Sequence, residues 1–167
     1  MKNNSCIYFV EGSCEKTLID ALKEKPALIV PGRTKVFNAI SHELTRSMLI
    51  TIQSGTTVVF VFDTDVEITE HLRKNIKLVS TYCAGAKVVC LPQVLNLEDE
   101  LVRCTNVSKA QELTGSRSVK DFKRDFCAMT NCRAILTRHQ LDVLKLWTQN
   151  APEVFSFIPT NSGEIKN

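Results

Sequence analysis

Three carboxylates in this chain are of the type and spacing that hold a divalent cation: Glu11, Asp63 and Asp65. Each lies at or just past the end of a β-branched and aromatic run, Ile7-Tyr8-Phe9-Val10 before Glu11 and Thr57 to Phe62 before Asp63. If those runs are parallel strands, the carboxylates sit at their carboxyl ends, outside which open α/β sheets bind their ligands. Extended backbone points residues two apart the same way, so Asp63 and Asp65 can share one ion while Thr64 faces elsewhere. Clustered carboxylate oxygens select Mg²⁺ or Mn²⁺ over softer metals. Gly12, directly after Glu11, lets the chain turn sharply and approach a ligand closely. The structural alternative for each element alone is that Glu11 caps the following helix and that the Asp-x-Asp pair serves a loop.

Other residues extend the constellation. Glu15 falls one turn into the helix after Gly12, either as a ligand of a second ion or as a first-turn carboxylate favoured by the helix dipole. Asn96-Leu97-Glu98-Asp99-Glu100 follows the last expected strand, so Glu98 and Asp99 either complete a metal shell or form an acidic first turn. Arg33, in a loop expected on the same sheet edge, has the planar fork that matches phosphate oxygens. The net charge of +3 is unevenly spread: residues 103–145 hold nine Lys and Arg against four Asp and Glu. Within them Arg117, Lys120, Lys123 and Arg124 interleave with Phe122 and Phe126. Phenylalanines four apart turn inward and leave the bases outside, either as a solvated face or as a surface that follows a phosphate backbone.

The elements that must position these residues read as an α/β chain. Short apolar runs alternate with helical periods over the first ninety residues, the sign of a parallel sheet with crossover helices. Strands are expected at 7–10, 27–30, 57–62 and 87–91. Helices are expected at 15–24, at about 34–53 from the stripe Val36, Ile40, Leu44 and Met48, and through Ile68, Leu72, Ile76 and Val79. The run 57–62 is apolar without alternation, as a central strand covered on both faces is. Beyond residue 92 only helices are expected: 97–104, a segment from Ser108 with Gln111 completing a capping box, a basic helix after Ser118, and one from Thr137 to about Trp147. The reading is a four-stranded, mainly parallel sheet in residues 1–106 and a helical extension packed on it in 107–167, with a frayed end from Asn161.

Composition excludes several classes. No apolar run approaches the roughly 20 residues that cross a bilayer, and the N-terminus leads into a strand rather than a signal peptide, so a cytoplasmic protein without membrane attachment is expected. Seven cysteines, an odd number without C-x-x-C pairs, read as reduced thiols and not as zinc ligands. Cys14 has no histidine near it in sequence to activate it as a nucleophile, and His42, His71 and His139 read as surface residues. No G-x-x-x-x-G-K-[ST] is present, so no nucleotide is hydrolysed through a P-loop.

The strand ending in Glu-Gly (Tyr8-Phe9-Val10-Glu11-Gly12) and the later apolar strand ending in Asp-x-Asp (Phe60-Val61-Phe62-Asp63-Thr64-Asp65) together resemble the signature of the Toprim family. That family includes topoisomerases, primases and nucleases. Glu11-Gly12-x-x-Glu15 is most similar to the OLD and RloB-like small Toprim nucleases, and the resemblance spans roughly residues 6 to 100. It implies that Glu11 is a general acid/base or second-ion ligand, that Asp63 and Asp65 hold Mg²⁺, and that DNA or RNA is the substrate. It also implies a separate ATPase partner and a role in bacterial defence against phage. A topoisomerase needs a tyrosine nucleophile and gate domains, and here only Tyr8, in an expected strand, and Tyr82, in an expected helix, exist, with no gate domains expected. A primase needs a larger template-binding body, which a partner would have to provide. A receiver has its acidic pair after the first strand, which here ends in Glu-Gly, and a lysine after the last, and no Lys follows Leu91 closely. The alternative from another class is a catalytically inert Toprim module that binds nucleic acid or regulates a partner.

Overall fold

The computed structural model describes residues 5–167. Four strands, β1 (Cys6–Val10), β2 (Arg33–Val36), β3 (Thr57–Asp63) and β4 (Lys87–Gln93), form one sheet in the order β2-β1-β3-β4 with every pairing parallel. β1 and the middle of β3 are buried throughout, which explains why neither alternates apolar with polar residues. Helices cover both faces, an α/β arrangement consistent with a Rossmann-like fold. On one face Tyr8, Val10, Val59, Val61, Val89 and Leu91 meet α1 (Ser13–Lys23) and the helices that follow β4. On the other, Ile7, Phe9, Val58, Phe60 and Phe62 meet the segment between β2 and β3, α3 (Glu70–Tyr82) and Phe155.

The second strand and second helix depart from expectation. Residues 27–30 form only an isolated bridge, Ile29 to Lys166, and the strand begins at Arg33. Gly32 makes that start possible: a Cβ there would collide with the Cys6 carbonyl at the head of β1. The expected helix at 34–53 contracts to a single turn, α2 (Arg46–Leu49). Val36 ends the edge strand and is exposed, and beyond it the Asn38 side chain accepts from the Ile40 and Ser41 amides at 2.9 and 3.0 Å. Such a local bond offers the backbone an alternative to the helix. Fully buried Asn75 on α3 then holds the segment, accepting from Leu44 N–H and donating to the carbonyls of Ala39 and His42. Ile40 and Leu44 therefore reach the core from a pinned loop.

After β4 come α4 (Leu97–Cys104), a 3₁₀ turn at Ala110–Leu113, α5 (Val119–Cys127, starting after Ser118 as expected and capped by it) and α6 (Cys132–Arg138). Glu112, not Gln111, accepts from the Ser108 and Lys109 amides. The last helix starts earlier than expected and ends at Arg138, because Gln140 and then Trp147 take left-handed backbone. Phe122, Phe126, Leu136 and Leu146 join the α1-side core. The end of the chain is tied down, not frayed: Ile165 is buried, and Asn161 bonds the Cys90 N–H and the Val88 carbonyl on the outer edge of β4. Cys14 and Cys127 form a disulfide that joins the first turn of α1 to the last residue of α5, against the expectation of seven free thiols; the other five are buried. No helix among the described residues is long and apolar enough to cross a membrane.

Gly32→Ala is expected to destabilise the fold by about 1–3 kcal/mol, because the added methyl meets backbone that cannot yield. Gly163→Ala, with nothing within 4 Å of its added Cβ, stays within about 0.5 kcal/mol. Urea denaturation of both variants checks this; equal effects would contradict the close approach at β1.

Candidate functional site

The strand order creates a crevice. From β1 the chain leaves on the α1 face toward β2, and from β3 it leaves on the α3 face toward β4, so the carboxyl ends of β1 and β3 flank a topological switch point. Glu11 and Asp63 stand there. The Asp63 backbone N–H donates to Glu11 Oε2 at 3.2 Å, tying the two strand ends together. Thr64 is buried and turns away as expected: its N–H donates to the Gln93 and Leu95 carbonyls, each at 3.1 Å, and its hydroxyl accepts from the Leu95 amide at 3.0 Å. The loops after β3 and β4 are thereby locked, with Leu95 in left-handed backbone.

That lock aims α4. Asn96 caps it, accepting from the Asp99 amide at 3.0 Å, and the three acids of its first turn diverge as the helical rotation requires. Glu98 turns toward the crevice, Asp99 faces solvent, and Glu100 enters the core to hold Arg103 and the Trp147 amide. Glu15 is buried on α1, its carboxylate beside the Cα of Gly12, where an added Cβ would lie 3.1 Å from Oε2. Glu11, Glu15, Asp65 and Glu98 all act on Asp63. Burial first, and then these four charges, push the Asp63 carboxyl from its ordinary 3.8 up to about 8. Glu15 is also pushed upward, by burial and then by Glu11 and Glu98 after its backbone bonds are counted.

Among the described residues one cation enters this cluster. Lys123 of α5 pairs with Glu98 at 3.2 Å, and its ammonium is held protonated by Glu98 foremost and by Asp63 and Glu15 beyond. The other basic candidates do not converge. Arg124 pairs with Asp121 and Asp125 on its own helix, while Arg117 and Lys120 are exposed. Arg33 is placed at the opposite end of the sheet: as the first residue of β2, paired with Ile7, it lies at the amino edge, its guanidinium 3.5 Å from the Thr51 carbonyl. The expectation of Arg33 in the crevice fails because the strand begins after Gly32 instead of ending before it.

Gln93 was not singled out in the sequence. It ends β4 as the register partner of Asp63, so both side chains leave the sheet on the α1 face. Its side chain is fully buried with neither amide atom partnered, and Asp63 Oδ1 is buried without a partner as well. Buried polar atoms left open in this way are rare and mark places where water, an ion or a ligand completes the bonding. The only sequence signal for Gln93 was its place at the end of a strand.

As placed, no three His, Cys, Asp or Glu side chains among the described residues are gathered closely enough to hold one ion. The donor set fits a hard divalent cation in its chemistry, being carboxylate oxygens with an amide beside them, and Asp63 Oδ1 and the Gln93 amide, on register partners at the sheet edge, are buried without partners. Fold and site together define an α/β protein with an acidic crevice at a sheet switch point. No known protein family, characterised protein or solved structure matches the chain.

The raised Asp63 sets a direction for stability. Unfolded, this carboxyl ionises near 3.8; folded, it keeps its proton to about pH 8. Its contribution is therefore fully present below about pH 4 and is lost as pH rises to about 8. In EDTA the folded protein is expected to lose denaturant resistance between about pH 5 and pH 8, and Asp63→Asn to lose less over the same range. Equal pH slopes for the two proteins would contradict the crowding.

Proposed function

We propose that the chain is a divalent-metal-dependent phosphodiesterase of the Toprim type, acting on DNA or RNA. The observation that carries this reading is the gathering of Glu11, Glu15, Asp65 and Glu98 around a half-buried Asp63 at the β1/β3 switch point. A protein built only for stability gains nothing from setting like charges together in low dielectric; a cation, or a reaction that uses one, accounts for it. Asp63, Asp65 and Glu98 would hold Mg²⁺ or Mn²⁺, with Gln93 and Glu15 beside them. When bound, such an ion supplies Lewis-acid polarisation of a phosphoryl oxygen and a more acidic water.

The chain's own groups have separate work. Glu11 accepts from the Asp63 amide with one oxygen, which leaves the other to take a proton from an attacking water or to give one to a leaving oxygen. Lys123 places a positive charge beside Glu98, where a phosphodiester would approach, and exposed Arg117 and Lys120, although they do not converge on the crevice, would be open to the phosphates of a longer strand. Gly12 leaves room for the Glu15 carboxylate, which an added Cβ would meet at 3.1 Å. An ATPase partner and a role in phage defence, which the Toprim resemblance implies, belong to this reading as proposals, since any nucleotide hydrolysis through a P-loop must come from another chain.

The second reading, an inert Toprim module, is favoured by the Lys123–Glu98 ion pair, which places an ammonium where a cation would otherwise be needed. Cleavage assays on mixed DNA and RNA substrates with Mg²⁺ or Mn²⁺ separate the two. The native protein is expected to cut. A folded Asp63→Ala/Asp65→Ala variant is expected to fall by more than the roughly hundredfold that loss of an outer partner of a metal ligand costs. Metal binding without cleavage of any substrate would support the inert module, and equal cutting by the variant would remove these residues from the chemistry.

A further inference from the structure

The Cys14–Cys127 disulfide lies beside the acidic crevice and takes no part in the chemistry proposed for it. Cys14 immediately precedes buried Glu15 in the first turn of α1, and Cys127 follows Lys123 by one turn at the end of α5. One covalent bond therefore joins the helix that carries a crevice carboxylate to the helix whose ammonium pairs with Glu98 at 3.2 Å. A second contact links the same cysteine to the same lysine: Cys14 Sγ lies 3.3 Å from the Lys123 backbone carbonyl.

This pair is open to exchange. Cys14 and Cys127 are both partly exposed, whereas the other five cysteines are buried. Thiol–disulfide exchange requires access for an attacking thiolate, which burial denies to those five. Other contacts hold α5 to α1 when the bond is open. Phe122 and Phe126 of α5 are fully buried in the same core as Leu18 and Leu22 of α1, and the Thr17 hydroxyl donates to the Cys127 carbonyl at 3.2 Å.

Breaking the bond changes the crevice side of α5 first. The two Cα atoms stand 4.5 Å apart, at the close end of what a disulfide spans. Two unbonded sulfurs need ordinary van der Waals separation, so either the backbones part or one sulfur turns aside. The Lys123 carbonyl is a ready acceptor for a reduced Cys14 thiol. While closed, the bond fixes the last turn of α5 and keeps the local concentration of the Lys123 ammonium at Glu98 high. Once that turn is free, the pair becomes an ordinary exposed ion pair, which is worth little.

We propose that Cys14–Cys127 is a reversible thiol–disulfide switch that decides whether Lys123 or a divalent cation neutralises Glu98. The proposal rests on the metal reading above, and it makes the ion-paired and the cation-binding arrangements two redox states of one site. Low-molecular-weight thiols supply the electrons. One thiolate attacks Cys127 Sγ; the mixed disulfide forms as the Cys14–Cys127 bond breaks, and Cys14 leaves as a thiolate. A second thiolate attacks the reductant's sulfur in the mixed disulfide, so Cys127 is released and the reductant departs as its own disulfide. Two electrons pass to the protein, and the protons given up by the two attacking thiols end on Cys14 and Cys127. By linkage, a cation that prefers the open form makes the bond easier to reduce by the same factor.

The test uses the full-length protein, oxidised or reduced with dithiothreitol and then freed of it without air. Each form is titrated with Mn²⁺, and the free ion is read by electron paramagnetic resonance. A thiol reagent under native conditions is expected to find no thiol before reduction and the Cys14 and Cys127 thiols after it, with an unchanged circular dichroism spectrum. The reduced protein is expected to bind Mn²⁺ about fivefold or more tightly. Lys123→Met, at an exposed position, is expected to bind Mn²⁺ equally in both states, which a merely structural disulfide would not produce. Equal affinity of the oxidised and reduced native protein overturns the switch and leaves the metal reading standing, and so does a redox effect that persists in Lys123→Met. Absence of Mn²⁺ binding by every form removes the metal reading and the switch with it. A bond that resists dithiothreitol in the native protein, or a reduced protein that unfolds, also overturns the proposal.

Discussion

Like charges brought together in a partly desolvated crevice repel, and the rest of this fold is arranged so that they stay together. Asp63 sits among four other carboxylates. In water the chain would spread them apart; here they are fixed by elements whose own stability comes from apolar burial well away from them. Fully buried Tyr8, Phe9, Phe60 and Phe62 fill the two central strands and hold the strand ends in register. The acidic edge is thus supported by hydrophobic contacts one to three residues upstream, where a charge would not be tolerated.

Backbone bonds complete what packing begins. The Asp63 amide donates to Glu11, so the group nearest the repulsion also offers one partial positive charge to it. The paired loops at Thr64 and Leu95 then give α4 a fixed origin, and Asn96 takes the capping duty that an acidic first turn would otherwise share. With the cap filled, Glu98 is free to turn to the crevice and Glu100 to the core. Three adjacent acids thus serve the crevice, the solvent and the fold, because each helical step rotates the side chain by about 100°.

The parts of this arrangement visible in the sequence were those specified by local pattern. Strand runs leading to Glu11 and Asp63, the stripe of α3 and the basic helix after Ser118 are short-range signals, and the structure contains each. What escaped depends on distant partners. The stripe from Val36 to Met48 has helical spacing, but Asn38 turns the backbone and Asn75, more than thirty residues on, pins it as a loop. Arg33 moved to the far end of the sheet because Gly32 fits against Cys6, a contact no local pattern announces. The Cys14–Cys127 pairing spans 113 residues, and Gln93 became notable only when its register with Asp63 left its amide buried and open.

The basic segment shows how an uneven charge can be both internal and external. Read as sequence, its excess is one surface for phosphate. In the fold, Arg124 is neutralised on its own helix and Lys123 turns to Glu98, which leaves exposed Arg117 and Lys120 without an ion pair among the described residues. A single ammonium cannot balance the carboxylates around Asp63, whose own carboxyl is still pushed to about 8 with Lys123 in place. The crowding therefore favours the proton on Asp63 up to about pH 8. Because Lys123 is on α5, which is joined to α1 through Cys14–Cys127, the counter-charge and the buried Glu15 are carried on covalently linked helices. Any group that enters the crevice must come to terms with both helices at once.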